Sequence, residues 1–372
     1  PALGTPRPMS TTTRPAGLVA AADLGSSVWE PLVEYRRNDV AENTIHGAVA
    51  WVSGRKLVHS FGGNVRCYGR SMMKPFALKV FAEEFERELN PEQKAIVVSS
   101  HNGDPEHVRV VKSILTESEM GLMQCPFALP LIQFGRQVRR PRRWYHTCSG
   151  EHAGIVRGCK LKGWSRIGYV WPHHPFTQSY IAMIRRHLGA DWAVQHIAKD
   201  GCGLPTISMT VNELALLYAS LVTERRADWV WQAIIDHPDL VGGFNRLDST
   251  IIKSGQGRVI AKEGADGLLG LAVEHPDFPE GLGIVIKIAH GWDPQGTWYV
   301  ARLVLGVLGF ELRNPYMLHR QKPFVVADVI PPGLRDRIAG VDPWDEWDPD
   351  VDRWFFSPEE FMDGGNGPEK SR

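Results

Sequence analysis

Ser71 and Lys74 stand three residues apart in Gly69-Arg70-Ser71-Met72-Met73-Lys74, and Pro75 follows at once. A serine hydroxyl is a weak nucleophile until a base takes its proton. At the first turn of a helix, residues i and i+3 share a face, which brings Lys74 within reach of Ser71. A lysine serves as that base when burial or nearby positive charge lowers its pKa. The plain structural alternative is an N-cap serine beside a solvated lysine. Two more pieces follow in chain order. Ser100-His101-Asn102 closes the short apolar run 95–98, and Lys262-Glu263-Gly264 ends a strand-like run from residue 259. Together they make a coherent amide-cleaving set. Ser71 would attack a carbonyl, Lys74 would take its proton, and Ser100 would relay a proton to the leaving amine. Lys262 would supply the positive charge that lowers the pKa of Lys74 and holds a substrate carboxylate. A rate that rises from neutral to alkaline pH follows from a lysine base.

These groups need elements to hold them. Residues 45–52 alternate as a strand, 53–55 read as a turn and 56–61 as the returning strand. The apolar rhythm of residues 76–89 predicts a buried helix behind Ser71. Asn90-Pro91 marks a helix start, with an N-cap and proline at the first position. Further helices are expected at 105–117, from Cys148, at 174–188, at 210–223 with a Leu214/Leu217/Leu221 stripe, at 227–237 and at 298–309. Strands are expected at 259–267, running into a turn, and at 282–289, the latter central. Residues 199–206 form a glycine-rich loop, and Asp200 has a bland reading there as the organiser of a turn. The order of strands, helices, strands and a last helix predicts an α/β (α+β) fold with a mainly antiparallel sheet flanked by helices. The chain divides into a flexible leader at 1–29, one catalytic domain at 30–320 and an acidic, Trp/Pro-rich extension at 321–372.

Composition narrows the function classes. The 372 residues carry 42 basic and 42 acidic side chains, which argues against a general nucleic-acid or membrane-surface binder. No apolar run is long enough to span a membrane. Five cysteines, an odd number without framework spacing, suit a reducing cytoplasm. Neither a Gly-x-Gly-x-x-Gly opening a helix nor a phosphate-binding loop motif is present, so no nucleotide cofactor is expected. A cluster at Arg139–Arg143 could grip an anion, though a solvated loop explains it as well.

The order Ser-x-x-Lys, Ser-x-Asn, Lys-x-Gly parallels serine β-lactamases and penicillin-binding proteins, although Ser100 follows Ser71 more closely than in typical β-lactamases. The longer segments resemble a more specific family. Ser71-Met72-Met73-Lys74, Ser100-His101-Asn102-Gly103-Asp104, Cys148-Ser149-Gly150-Glu151-His152-Ala153-Gly154, Asp200-Gly201-Cys202-Gly203-Leu204-Pro205-Thr206 and Lys262-Glu263-Gly264-Ala265-Asp266-Gly267 are similar to the successive motifs of the Rhizobium etli-type L-asparaginases, the asparaginase II proteins. The similarity runs from about residue 46 to residue 310. It implies a serine-β-lactamase-like fold, a homodimer, and hydrolysis of L-asparagine or a related small amide. It implies two Ser–Lys tandems, Ser71–Lys74 and Ser100–Lys262, and leaves open which serine attacks. Arg70, just before the first motif, and His101, Asn102, Asp200, Glu263 and Gly264, within the others, are the expected substrate-binding residues. The resemblance also implies zinc, held by two cysteines and a lysine. Cys148 and Cys202 match, but Glu151 stands where the family has lysine. A carboxylate is an ordinary zinc ligand, so the expected metal residues are Cys148, Glu151 and Cys202, with two buried metal-free thiols as the alternative. Glu151, with Asn102 and Asp104 where the family usually has Ser and Glu, keeps a second reading open: a diverged member acting on another amide, ester or acyl group. A non-catalytic binding protein on the same fold is the third.

Overall fold

The computed structural model describes residues 29–37, 40–127, 140–225, 228–316 and 322–341. The expected leader apart from Trp29, residue 139 of the arginine cluster and the acidic stretch beyond residue 341 lie outside these.

The main sheet is antiparallel throughout. It contains β1 (Glu30–Arg37), β2 (Val40–Ser53) and β3 (Lys56–Phe61), and a short β4 (Arg66–Tyr68) pairs elsewhere. Farther along come β5 (Ile197–Lys199), β6 (Pro205–Thr210), β7 (Val259–Gly264), β8 (Leu268–His275), β9 (Phe278–Ile288) and β10 (Lys322–Val325). The order across the main sheet is β10-β1-β2-β9-β8-β7, with β3 also on β2; β4-β6-β5 form a small second sheet. β2 is long enough to pair β1 along its first half and β3 along its second. The 45–61 hairpin and the central position of β9 are as expected. Every residue of β9 from Leu282 to Ile288 is buried, because helices cover both faces. The Val211–Glu224 helix lies across β9, β2 and β8 with its leucine stripe inward, and the Pro294–Gly306 helix lies against β9, β1 and β10.

Two expectations need revision. Residues 76–89 are not one helix. A 3-10 turn (Arg70–Met73), a short helix (Lys74–Leu78), a second 3-10 turn (Lys79–Phe81) and the Ala82–Glu88 helix share the span. The break seats the Phe81 ring on Gly158, where a Cβ would lie 2.4 Å from the ring. The stretch from residue 321 was expected to wrap the surface without regular structure. Instead β10 extends the sheet beside β1, and Val329 and Ile330 are fully buried.

The Ser149–Leu161 helix approaches its neighbours through Gly150, Gly154 and Gly158, one turn apart. A Cβ on Gly150 would stand 2.0 Å from the Ile96 carbonyl oxygen. Alanine would add helix propensity worth at most about 1 kcal/mol, whereas overpacking against backbone costs roughly 1–3 kcal/mol. Gly150→Ala is therefore expected to lower the thermal midpoint, and a midpoint equal to or above wild type would show that the helix moves aside at no cost.

Candidate active site

Ser71 sits in the 3-10 turn of Arg70–Met73, which packs on the edge strand β7 and is tied down by the Tyr218 hydroxyl donating to Met72 O at 2.6 Å. Arg70 adopts φ 46°, in the left-handed region that a non-glycine residue enters only when its surroundings hold it there. Three groups do so. The Arg70 N–H donates to Thr206 Oγ1 at 3.1 Å, its Nε donates to Asp200 Oδ1 at 2.8 Å, and its other guanidinium arm pairs with Asp266. Arg70 and Asp200 thus brace each other and the serine between them and Lys74. The bland reading of Asp200 also holds, since its carboxylate accepts from Gly201 N at 2.6 Å.

Lys74 is buried. Its ammonium donates to Ser99 O at 2.6 Å and to Ser100 Oγ at 3.2 Å, and lies 3.5 Å from Glu151 Oε2. Cys148 is a further side-chain partner of the ammonium. The charge state of Lys74 departs from expectation. Burial pushes Lys74 down, but Cys148, Glu151 and Cys202 together more than offset this and hold it above the usual lysine range. Of the two motif lysines, the one with a lowered pKa is Lys262, pushed down first by burial and further by the charges of Lys74 and Arg246, against Asp248.

Lys262 projects from β7 and donates to Asp248 Oδ2 at 3.1 Å and to Glu263 O at 2.8 Å. The hydrogen bonds among the described residues therefore run Lys74 to Ser100 and Lys262 to Asp248, while Ser71 Oγ meets Cys148 Sγ at 3.8 Å. Asp248 and Arg246 were missed in the sequence. Arg246 Nε bonds Glu263 Oε2 at 3.0 Å, and its NH1 donates to Ser100 O at 2.8 Å and to Asn102 Oδ1 at 3.3 Å. Arg246 is the N-cap of the Leu247–Ser254 helix and Asp248 lies in its first turn, where no motif marks them; the signal was two unlike charges two residues apart at a helix start. Gly264 ends β7 in close contact with Met72 and Leu268, where a Cβ would meet both at 3.2–3.3 Å.

His101 is fully buried. Its Nδ1 accepts from Gly103 N at 3.0 Å, so Nε2 carries the proton and donates to Ser149 Oγ at 2.9 Å. Burial keeps the ring neutral. His101 thus joins the Ser100 segment to the start of the Ser149–Leu161 helix.

Cys148 caps that helix, Glu151 lies in its first turn, and Cys202 comes from the glycine-rich loop. Their donor atoms lie within 4.8 Å of one another, and all three are buried. The hydrogen bond from Cys202, helped by Lys74, holds the Cys148 thiol well below the ordinary cysteine range against its burial. Burial raises Glu151 to about 8, with Lys74 opposing. Two sulfurs and a carboxylate in one shielded cluster suit a zinc-like ion.

Ser71 borders two spaces. Inward, beside Lys74, Glu151 and Cys202, is a cavity of ≈ 30 Å³; outward is a cleft of ≈ 1010 Å³ that Ser100, Asn102, Glu263 and Gly264 also line. Two serines at a cleft floor with a buried lysine hydrogen bonded to one of them describe a serine-lysine hydrolase site. The chain matches the L-asparaginase II family over residues 33–323 and belongs to it. It is an amidohydrolase-type enzyme of that family. No curated protein matches it. Among the solved structures similar to it are two at 12% identity. One is the Bacillus subtilis glutaminase YbgJ in covalent complex with 5-oxo-L-norleucine, with TM-score 0.30 over 71% of this chain and 86% of that chain. The other is a probable glutaminase from Bacillus subtilis complexed with 6-diazo-5-oxo-L-norleucine, with TM-score 0.29 over 67% and 78%. No helix among the described residues is long and apolar enough to cross a membrane.

Proposed function

We propose that this enzyme hydrolyses a small carboxamide, L-asparagine to L-aspartate and ammonia or a close analogue, through an acyl-enzyme on Ser71. The observation that carries this is the position of Ser71 Oγ where the cleft meets the inner cavity, beside the hydrogen-bonded Lys74–Ser100 pair. Ser71 is also the more accessible of the two serines, since Ser100 is buried. Ser71 Oγ adds to the amide carbon, and its proton passes to Lys74 in its neutral amine form by way of Ser100 Oγ; because Cys148, Glu151 and Cys202 favour the ammonium, that form is reached at alkaline pH. The same pair protonates the leaving nitrogen as the C–N bond breaks. Water then cleaves the ester, releasing the acid and restoring the serine. Lys262, neutralised by Asp248, contributes fixed dipole and shape at the β7 end of the site.

The finer identity is a serine-β-lactamase-like fold of the Rhizobium etli type. It is supported by the antiparallel sheet, the helix start carrying Ser71 and Lys74, and the strand carrying Lys262. A homodimer in the cytoplasm goes with that reading, and five free thiols suit the compartment. Cys148, Glu151 and Cys202 would hold zinc, which when bound supplies a positive centre for an anionic substrate group. Glu151 would have to share its carboxylate between that ion and Lys74.

The test is ammonia release from L-asparagine, intact mass of the trapped acyl-enzyme, and metal content of the same preparation. The expected result is an adduct on the Ser71 peptide, with about one zinc per chain that Cys202→Ser removes. An adduct elsewhere would displace Ser71, and a metal-free active enzyme would remove zinc from the account.

A further inference from the structure

The outer cleft is far larger than an amino-acid amide requires. At ≈ 1010 Å³ it matches the upper end of the roughly 300–1,000 Å³ that house drug-sized ligands. The inner cavity, ≈ 30 Å³ and lined by the charged Arg70, Lys74, Glu151 and Asp200 together with the apolar Phe176 and Leu204, has room for a group on the scale of a water or two. A carbonyl held at Ser71 therefore has a small, charged side and a wide side.

The wide side carries two exposed rings. Phe244 is 79% exposed and Trp292 69%, and both line the cleft. Leaving such rings in water forgoes the free energy of their burial. The backbone is bent to place Phe244. Gly243 has φ 122° and Asn245 has φ 57°, so both neighbours are in left-handed conformations. A Cβ on Gly243 would lie 2.6 Å from Asn102 Nδ2. That same nitrogen donates to Phe244 O at 3.0 Å, which ties the ring's loop to the Ser100–Asn102 segment at the cleft floor. The backbone at Trp292 is held by His290 Nε2 bonding its carbonyl at 3.1 Å and by Asp293, which caps the next helix.

We infer that the preferred substrate is an N-aryl carboxamide, with its polar acyl end toward the small charged cavity and an aromatic ring on the amide nitrogen between Phe244 and Trp292. This rests on the reading of Ser71 as the attacking group. The Ser71 Oγ–C bond forms, the C–N bond breaks, the nitrogen takes the proton and an arylamine leaves; water then hydrolyses the ester. Phe244 and Trp292 set specificity and touch no reacting atom.

The experiment compares L-asparagine with the β-anilide of L-aspartate. The anilide is expected to show at least tenfold higher kcat/KM, mainly through KM. Phe244→Ala and Trp292→Ala are each expected to raise the anilide KM about threefold to tenfold, the size of one aromatic contact, and to leave asparagine turnover within about twofold. Asparagine turnover without an advantage for the anilide overturns the aromatic subsite and leaves the amidohydrolase reading standing. If neither amide turns over, calorimetric titration of the anilide into Ser71→Ala decides. Binding that Phe244→Ala weakens sustains the subsite while the Ser71 reading falls; binding that both ring variants leave unchanged, or a change of oligomeric state in those variants instead, overturns it.

Discussion

Ser71→Ala is expected to cut amide turnover by about 10³-fold or more while leaving the thermal midpoint close to wild type. The asymmetry comes from the contacts of the side chain. Its hydroxyl has one weak partner, Cys148 Sγ at 3.8 Å, and it is partly open to the cleft. Removing it strands no buried charge and opens little space, so the stability change stays within roughly 1 kcal/mol. Lys74→Ala is a poorer probe. It abolishes turnover too, but it strips Glu151 and Ser100 of their shared donor, so lost activity mixes with lost structure. The measurement is initial rate and midpoint on the same Ser71→Ala sample, with Ser100→Ala beside it. Wild-type rates in Ser71→Ala, with activity lost in Ser100→Ala, would transfer the nucleophile to Ser100, which already has its hydrogen bond to Lys74.

Much of the site could be read from sequence because its members sit in short motifs. The serines, the lysines and the Cys148 and Cys202 segments stand on adjoining elements, and the capping box Asn90–Gln93 and the 45–61 hairpin form where their residues predict. Partnerships were harder to read. Ser71 and Lys74 share a turn by spacing, yet the lysine reaches past it to Ser100 and Glu151, which arrive from a loop and a helix far along the chain. Proximity of two lysines was expected to lower the pKa of Lys74. Three acidic groups around it reverse that sign, and burial beside Lys74 and Arg246 moves the shift to Lys262. β8 went unread because Leu268 to Val273 is an apolar run without alternation. Such a run is buried on both faces and carries no period.

Asp248→Ala is expected to destabilise the protein by about 3–5 kcal/mol, the cost of leaving a buried charge alone. Asp248 and Lys262 are both fully buried, and their side chains meet at 3.1 Å. The carboxylate also accepts from Ser249 N at 3.0 Å, so alanine orphans an N–H as well as an ammonium. Lys262 keeps only the Glu263 carbonyl. In a protein of this size the midpoint should fall by roughly 4–6 °C. The pH dependence has a definite sign. Burial raises the Asp248 carboxyl, but Lys262 and Arg246 overcome it and hold the group below the ordinary aspartate range. A depressed folded pKa gives stability that is present above the unfolded value of about 3.9 and lost as pH falls through the folded one. The gap between wild type and Asp248→Ala should therefore be full at neutral pH and narrow below about pH 4. The double variant Asp248→Ala/Lys262→Met removes both charges, and replacing a buried pair by apolar groups is often close to neutral. Most of the lost stability should return, to within about 2 kcal/mol of wild type. Turnover should not return with it, because the site would lack the β7 lysine. Thermal and denaturant midpoints of the wild type, both single variants and the double variant, with rates on each, complete the cycle. A single variant within about 1 kcal/mol of wild type, or a double variant no more stable than Asp248→Ala, would show that the pair is solvated and that Lys262 does not depend on Asp248.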